Sequence, residues 1–198
     1  MCSGGVAKCA RCIAGTLYPL VLISIICNIV LFFPGWDVKY ARDGHLTPEV
    51  KYLGGLLGGG LMVLISAVYT QVAGDQRCCT GRCVMLLSIF FAAVGVFGAL
   101  YSFSVAAIGL RDGPFCKVGD DWTIPFKTST PSYLTNSSSW TECTEPPNVV
   151  RFNIGLFLTL MAVSSLQVML CAIQIINGLI GCICGPSDIK EEGSDPWQ

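Results

Sequence analysis

Cysteine is the residue through which this sequence could do most of its chemistry. The chain holds 12 cysteines in 198 residues. A thiolate can be acylated, can ligate a metal or can close a disulfide. Position sorts the cysteines into three sets. Cys116 and Cys143 lie in one polar stretch, and Cys27 and Cys171 lie deep in apolar sequence. The other eight are Cys2, Cys9, Cys12, Cys78, Cys79, Cys83, Cys182 and Cys184, and they crowd the ends of apolar stretches. Cys9-x-x-Cys12 has the spacing of a zinc knuckle, but Cys78, Cys79 and Cys83 do not supply a matching pair. Catalysis finds no footing. His45 is the single histidine and reads as a turn residue, so no Ser/His/Asp or Cys/His set can be assembled. The expectation is a non-enzyme without cofactor or metal.

What must position these thiols is a membrane. Hydrophobic residues make up 53% of the chain and charged residues 13%, against about 25% charged in a soluble protein. No charged residue falls in 12–36, 52–74, 83–110 or 152–187. A bilayer core about 30 Å thick needs about 20 apolar residues of helix, and each stretch is that long. Runs this long without alternation are not barrel strands. The composition excludes a soluble enzyme and a disordered chain, and the net charge of −1 gives no field for nucleic acid. Transmembrane helices are expected at 13–33, 52–73, 84–110 and 153–180. They separate an N-terminus (1–12), a small loop (34–51), a Cys-rich loop (74–83), a large loop (111–152) and an acidic tail (181–198). The first stretch is too long for a cleavable signal core and reads as an anchor. The fold class is an all-α membrane protein. Its architecture is a left-handed four-helix transmembrane bundle with a small disulfide-stapled extracellular loop.

Orientation is nearly a tie on basic residues. Lys8, Arg11, Arg77, Arg82 and Lys190 lie on one side, and Lys39, Arg42, Lys51, Arg111, Lys117, Lys127 and Arg151 on the other. Two features break it. Asn136-Ser137-Ser138 is a glycosylation sequon, usable only on the luminal or extracellular side. The even pair Cys116 and Cys143 shares its loop, whereas the eight-thiol crowd lies opposite, as redox compartments require. Both termini and 74–83 are therefore expected in the cytosol. Cys116 and Cys143 are expected to form a disulfide, since a polar loop of this length builds little core of its own. Trp122, Phe126, Tyr133, Leu134 and Trp140 in that loop form either its small core, the favoured reading, or a partner-binding patch. For the inner eight, palmitoylation is favoured over free interfacial thiols and over zinc.

Packing signals are the remaining motif. Small residues recur at Ser88, Ala92, Gly95, Ala99, Ser102, Ala106 and Gly109, in steps of 4 and 3. That heptad seam admits a close left-handed crossing. Packing within the chain is favoured, with a homo-oligomer seam as the alternative. Gly54, Gly55, Gly58 and Gly59 form two small-xxx-small pairs at the start of the second span, with Gly60 beside them. The spans hold Asn28, Gln71, Gln167, Gln174 and Asn177 but no charge, which argues against pumps, proton-coupled carriers and voltage sensors. A neutral-lined channel, a carrier for a small neutral or lipid-like solute, or an accessory subunit remains as an alternative, with Gln167, Gln174 and Asn177 near one face.

These residues resemble a known group. Met1-Cys2-Ser3-Gly4, Cys9-Ala10-Arg11-Cys12 and Asn28 to Pro34 are similar to the N-terminal region of the L-six antigen family, tetraspanin-like four-span proteins. His45-Leu46 and Gly58 to Met62 follow in order, and Gly109 to Cys116 resembles the entry to the family's large loop. Tyr133-Leu134, Trp140, Cys143, Glu145-Pro146, Val149-Val150, Leu170 to Gln174 and Asn177-Gly178 continue the likeness to about residue 185. The resemblance implies a plasma-membrane organiser that associates with the lipid bilayer and with integrins, receptors or tetraspanin-type assemblies. It implies effects on adhesion, migration and proliferation, and no enzymatic activity. The chain departs from the pattern in a short inner loop, and Asn153-Ile154-Gly155 is not a sequon, so glycosylation rests on Asn136.

Overall fold

The computed structural model describes residues 2–37, 39–42, 46–75, 82–127, 133–135 and 137–183. Four helical segments are long and apolar enough to cross a membrane. The first span is α1 (Cys2–Leu31). A four-residue α2 (Lys39–Arg42) follows in the small loop. The second span begins with a short 3-10 turn, Pro48–Tyr52, and continues through a π-helical segment, Gly54–Met62, into α3 (Val63–Gly74). The third span is α4 (Arg82–Asp112) and the fourth is α5 (Val149–Ile183).

The large loop is not purely helical. It carries a hairpin of β1 (Cys116–Val118) and β2 (Asp121–Thr123), paired antiparallel with Lys117 opposite Trp122. The protein is mostly helical, as expected for an all-α membrane fold, and the hairpin is a small addition within the stapled loop. Gly119 at φ +64 supplies the left-handed turn residue.

Polarity is arranged inside out, as lipid demands. Large apolar side chains point outward, among them Leu22, Ile26, Leu61, Phe90, Phe97, Leu166, Met169 and Ile176. Ser24, Asn28, Ser66, Thr70, Ser88, Ser102, Ser164, Gln167, Gln174 and Asn177 are buried between the helices. In water this distribution would be unstable; in hydrocarbon the solvent is itself apolar, and polar groups gain by facing one another.

Two local departures from regular, charge-bounded spans have physical causes. The first helix starts at Cys2, well before the uncharged stretch, because Val6, Ala7 and Ala10 are buried there. Asn177 Nδ2 donates to Val6 O at 3.1 Å, and Arg11 Nε donates to Gly74 O at 2.8 Å. Packing against the ends of the second and fourth spans therefore extends this helix. The second span is not a regular α-helix from residue 52. Its glycines, with no Cβ to hold neighbours away, allow a widened π-helical turn. Gly54, Gly55, Gly58, Gly59 and Gly60 are all buried in it.

Candidate functional site

Three regions gather the polar and reactive residues: the interior of the bundle, the cap at the end expected outside the cell (the outer cap) and the rim at the end expected in the cytosol (the inner rim).

In the interior, the third and fourth spans meet along matched heptads. All seven seam residues of the third span are buried. Opposite them run Asn153, Phe157, Leu160, Ser164, Gln167, Cys171, Gln174, Gly178 and Gly181, buried at steps of 4 and 3. A methyl group placed on Gly109 would stand 2.5 Å from Phe157 Cζ, and one on Gly95 would stand 2.8 Å from Cys171 Sγ. Between these two contacts, Ser164 Oγ donates to Ser102 Oγ at 2.9 Å. Seven residues down one helix thus correspond to seven up the other, as an antiparallel heptad pairing requires. The small side is on the third span and the large or polar side on the fourth. The heptad on the fourth span was also present in the sequence, and its mixed residue types concealed it.

The glycine pairs of the second span face the rest of the bundle. Gly58 and Gly98 pack carbonyl against Cα, each blocking a methyl on the other. Gly98 is a contact residue that the heptad seam did not include. At Gly59 a methyl would meet Ser24 Oγ at 2.7 Å and Gln167 Oε1 and Ser102 Oγ at 3.1 Å, so all four spans converge there. Gln167 Nε2 donates to Gly59 O at 2.8 Å. Gln174 Nε2 donates to Ser88 Oγ at 2.9 Å, and Asn177 donates to Gln174 Oε1 at 3.3 Å as well as to Val6 O. Tyr18 donates to Gln71 Oε1. The amide donors of Gln167, Gln174 and Asn177 are thus spent on the packing, while the amide oxygens of Asn28 and Gln167 are buried without a hydrogen-bond partner.

The outer cap is stapled by a Cys116–Cys143 disulfide, with Cα atoms 5.5 Å apart. Cys116, Phe126, Tyr133, Val149 and Val150 form its core, and Val118, Trp140, Cys143 and Ile154 pack against it. The Phe126 and Tyr133 rings stack at 4.6 Å, and Trp140 Nε1 donates to Tyr133 O at 2.9 Å. Gly113, at φ +81, turns the chain out of the third span where a methyl would reach Phe126 Cδ2 at 3.0 Å. Thr144 N and Oγ1 both donate to Lys117 O at 2.9 Å, so the segment after Cys143 is held to the hairpin. The Tyr133 hydroxyl donates to Leu110 O, tying the cap to the third span. Burial pushes that phenol up to about 12, with a smaller contribution from the Asp112 charge. Of the five aromatic and apolar residues expected to form this core, Leu134 stays exposed. Trp122 instead stacks on Phe115 at 5.8 Å and meets Tyr40 of the small loop at 6.1 Å.

At the inner rim, Cys12 is exposed and Cys9 and Cys182 are half-buried. Cys2 and Cys83 lie at helix ends. Cys78, Cys79, Cys184, His45 and the sequon residue Asn136 lie outside the described residues. Among the described residues, no three His, Cys, Asp or Glu side chains come together as metal ligands do.

Four apolar spans with an inward polar spine and a stapled cap define a multi-pass membrane protein. The chain belongs to the L6 membrane protein family, which it matches over residues 1–188. It is 40% identical to human Transmembrane 4 L6 family member 5 over 197 residues, covering 97% of this chain and 98% of that protein. It is 42% identical to human Transmembrane 4 L6 family member 1, covering 93% and 95%. It is 41% identical to rat Transmembrane 4 L6 family member 4, covering 93% of each. No solved structure matches the chain.

Proposed function

We propose that the chain is a non-enzymatic plasma-membrane scaffold with both termini in the cytosol. Its apolar outer faces hold partner transmembrane segments, its stapled cap meets extracellular partners, and palmitoylated rim cysteines set its membrane microdomain. The partners are integrins, receptors and tetraspanin-type assemblies, and the output is adhesion, migration and proliferation. The observation that carries this reading is the direction of the polar groups. Gln167, Gln174 and Asn177 spend amide donors on Gly59, Ser88 and Val6 of the other spans, which favours a packed bundle over a polar pathway for solute. The apolar surface is left for lipid and for other helices.

Proximity labelling in adherent cells tests the scaffold. Surface adhesion receptors should be enriched over an unrelated four-span control. Replacing Cys2, Cys9, Cys12, Cys78, Cys79, Cys83, Cys182 and Cys184 by serine should remove the acyl-exchange signal and thin the partner set. Equal labelling by the control would overturn the scaffold, and an unchanged acyl signal would overturn the acylation.

A further inference from the structure

Among the buried side-chain oxygens without a hydrogen-bond partner, one belongs to a carboxylate. Glu49 is 7% exposed, its Oε2 has no hydrogen-bond partner, and it forms no ion pair among the described residues. It sits in the 3-10 turn Pro48–Tyr52 that opens the second span. A carboxylate oxygen buried without a partner is costly, so it implies a missing counter-group.

The surroundings say what that group is. Thr47, two residues earlier, joins three chain segments: its Oγ1 accepts from Asn153 Nδ2 at 3.5 Å and from the Phe115 amide at 3.4 Å. Asn153 is 4% exposed, and its Oδ1 is also without a partner. Asp112 precedes Phe115 by three residues and is 4% exposed. Its Oδ1 is taken by Arg111 Nε at 2.8 Å, but the Arg111 side chain is 75% exposed and reaches water. Glu49 is near enough to Arg111 for its charge to be felt there. The junction of the small loop with the third and fourth spans therefore carries two buried carboxylates against one solvated guanidinium. Two orphan oxygens, one carboxylate and one amide carbonyl, are buried there as well.

We propose that this junction binds a divalent, oxygen-preferring cation of the calcium class. Carboxylate, amide carbonyl, hydroxyl and water are the ligands such a cation takes, and its flexible coordination suits donors drawn from separate segments. The ion would bring the charge of the junction into balance and pin the small loop to the large one.

The full chain, purified in detergent, tests this by thermal unfolding and by calorimetric titration with CaCl2. A hundredfold excess of calcium over Kd should raise Tm by about 5–10 °C, whereas sodium chloride at matched ionic strength should not. Glu49→Gln keeps the side-chain shape and removes the charge, so it should fold, keep or raise the calcium-free Tm and lose the calcium shift. Asp112→Asn should weaken the shift, and Glu142→Gln, an exposed carboxylate of the cap, should keep it. An equal calcium shift in Glu49→Gln, or no calcium binding by the wild type, would overturn the proposal.

Discussion

Tyr133 shows how one side chain can couple the outer cap to the bundle. Its ring packs on Phe126, its carbonyl accepts from Trp140, and its hydroxyl donates to Leu110 at the end of the third span. Burial disfavours a phenolate there and the Asp112 charge adds to it, so the neutral form, which can also donate to Leu110, is favoured in the fold. The folded pKa, about 12, lies above the unfolded value of about 10. The resulting stability is fully present below pH 10 and is lost as pH rises from about 10 to about 12. Tyr133→Phe should flatten that alkaline loss, as followed by Trp140 fluorescence, while weakening the cap by about 1 kcal/mol at neutral pH. The staple acts on a larger scale with less chemistry. Cys116 and Cys143 are separated by 27 positions, and closing a loop of that size is worth about 3–4 kcal/mol in the chain-entropy account. Reduction, or Cys116→Ser, should therefore expose Lys117 and Lys127 to trypsin while the spans keep their helical circular dichroism. Resistance of the reduced cap to trypsin would contradict this account of its stability.

At the scale of elements, the question is why four helices with no charge settle on one packing. Lipid gives them no hydrophobic reason to associate, so shape and hydrogen bonds decide. The third span offers hollows at Gly95, Ala99, Ser102 and Gly109, and the fourth offers Cys171, Gln167, Ser164 and Phe157 at the same steps of 4, 3 and 7 residues. The polar pairs fix the register: Gln167 with Gly59, Ser102 with Ser164, and Gln174 with Ser88. A slip by one turn would leave these amides and hydroxyls unpaired in hydrocarbon, which is costly. The glycines divide accordingly. Gly58 and Gly59 have no room for a methyl, whereas Gly155 is exposed on the fourth span and a methyl there meets nothing within 4 Å. Gly58→Ala or Gly59→Ala should cost about 1–3 kcal/mol of bundle stability by overpacking, measured by steric trapping in bicelles. Gly155→Ala should be neutral or stabilising, because alanine is the better helix former. Gln167→Leu should cost about 0.6–1.7 kcal/mol, the range for interhelical hydrogen bonds in membranes. Equal effects at Gly59 and Gly155 would mean that backbone freedom, rather than contact, sets their role.

For the whole molecule, segregation of charge made the spans legible, because hydrocarbon excludes charge over the length of about 20 helical residues that a span requires. The small-residue seam was legible because one residue class repeats there. The complementary heptad on the fourth span was not, since Asn, Phe, Leu, Ser, Gln and Cys share a face only in three dimensions. The π-helical opening of the second span was hidden too: glycine permits it, but the close approach of Gly98 and Ser24 is a tertiary fact. The burial of Glu49 was not legible, because burial near a loop junction leaves no trace in spacing. Orientation rests on the cysteines. A stapled pair in one cap and exposed Cys12 with half-buried Cys9 and Cys182 at the opposite ends of the spans match two redox compartments on the two sides of one membrane. If that partition reflects topology, a membrane-impermeant maleimide applied to intact cells should leave the inner-rim cysteines unlabelled until the membrane is opened. The cap pair should label from outside, and only after reduction. Acyl-blocked thiols would label only after hydroxylamine, so that treatment belongs in the permeabilised arm. Labelling of Cys12 from outside in intact cells would reverse the orientation. The staple would then face a reducing compartment, where glutathione would act against it.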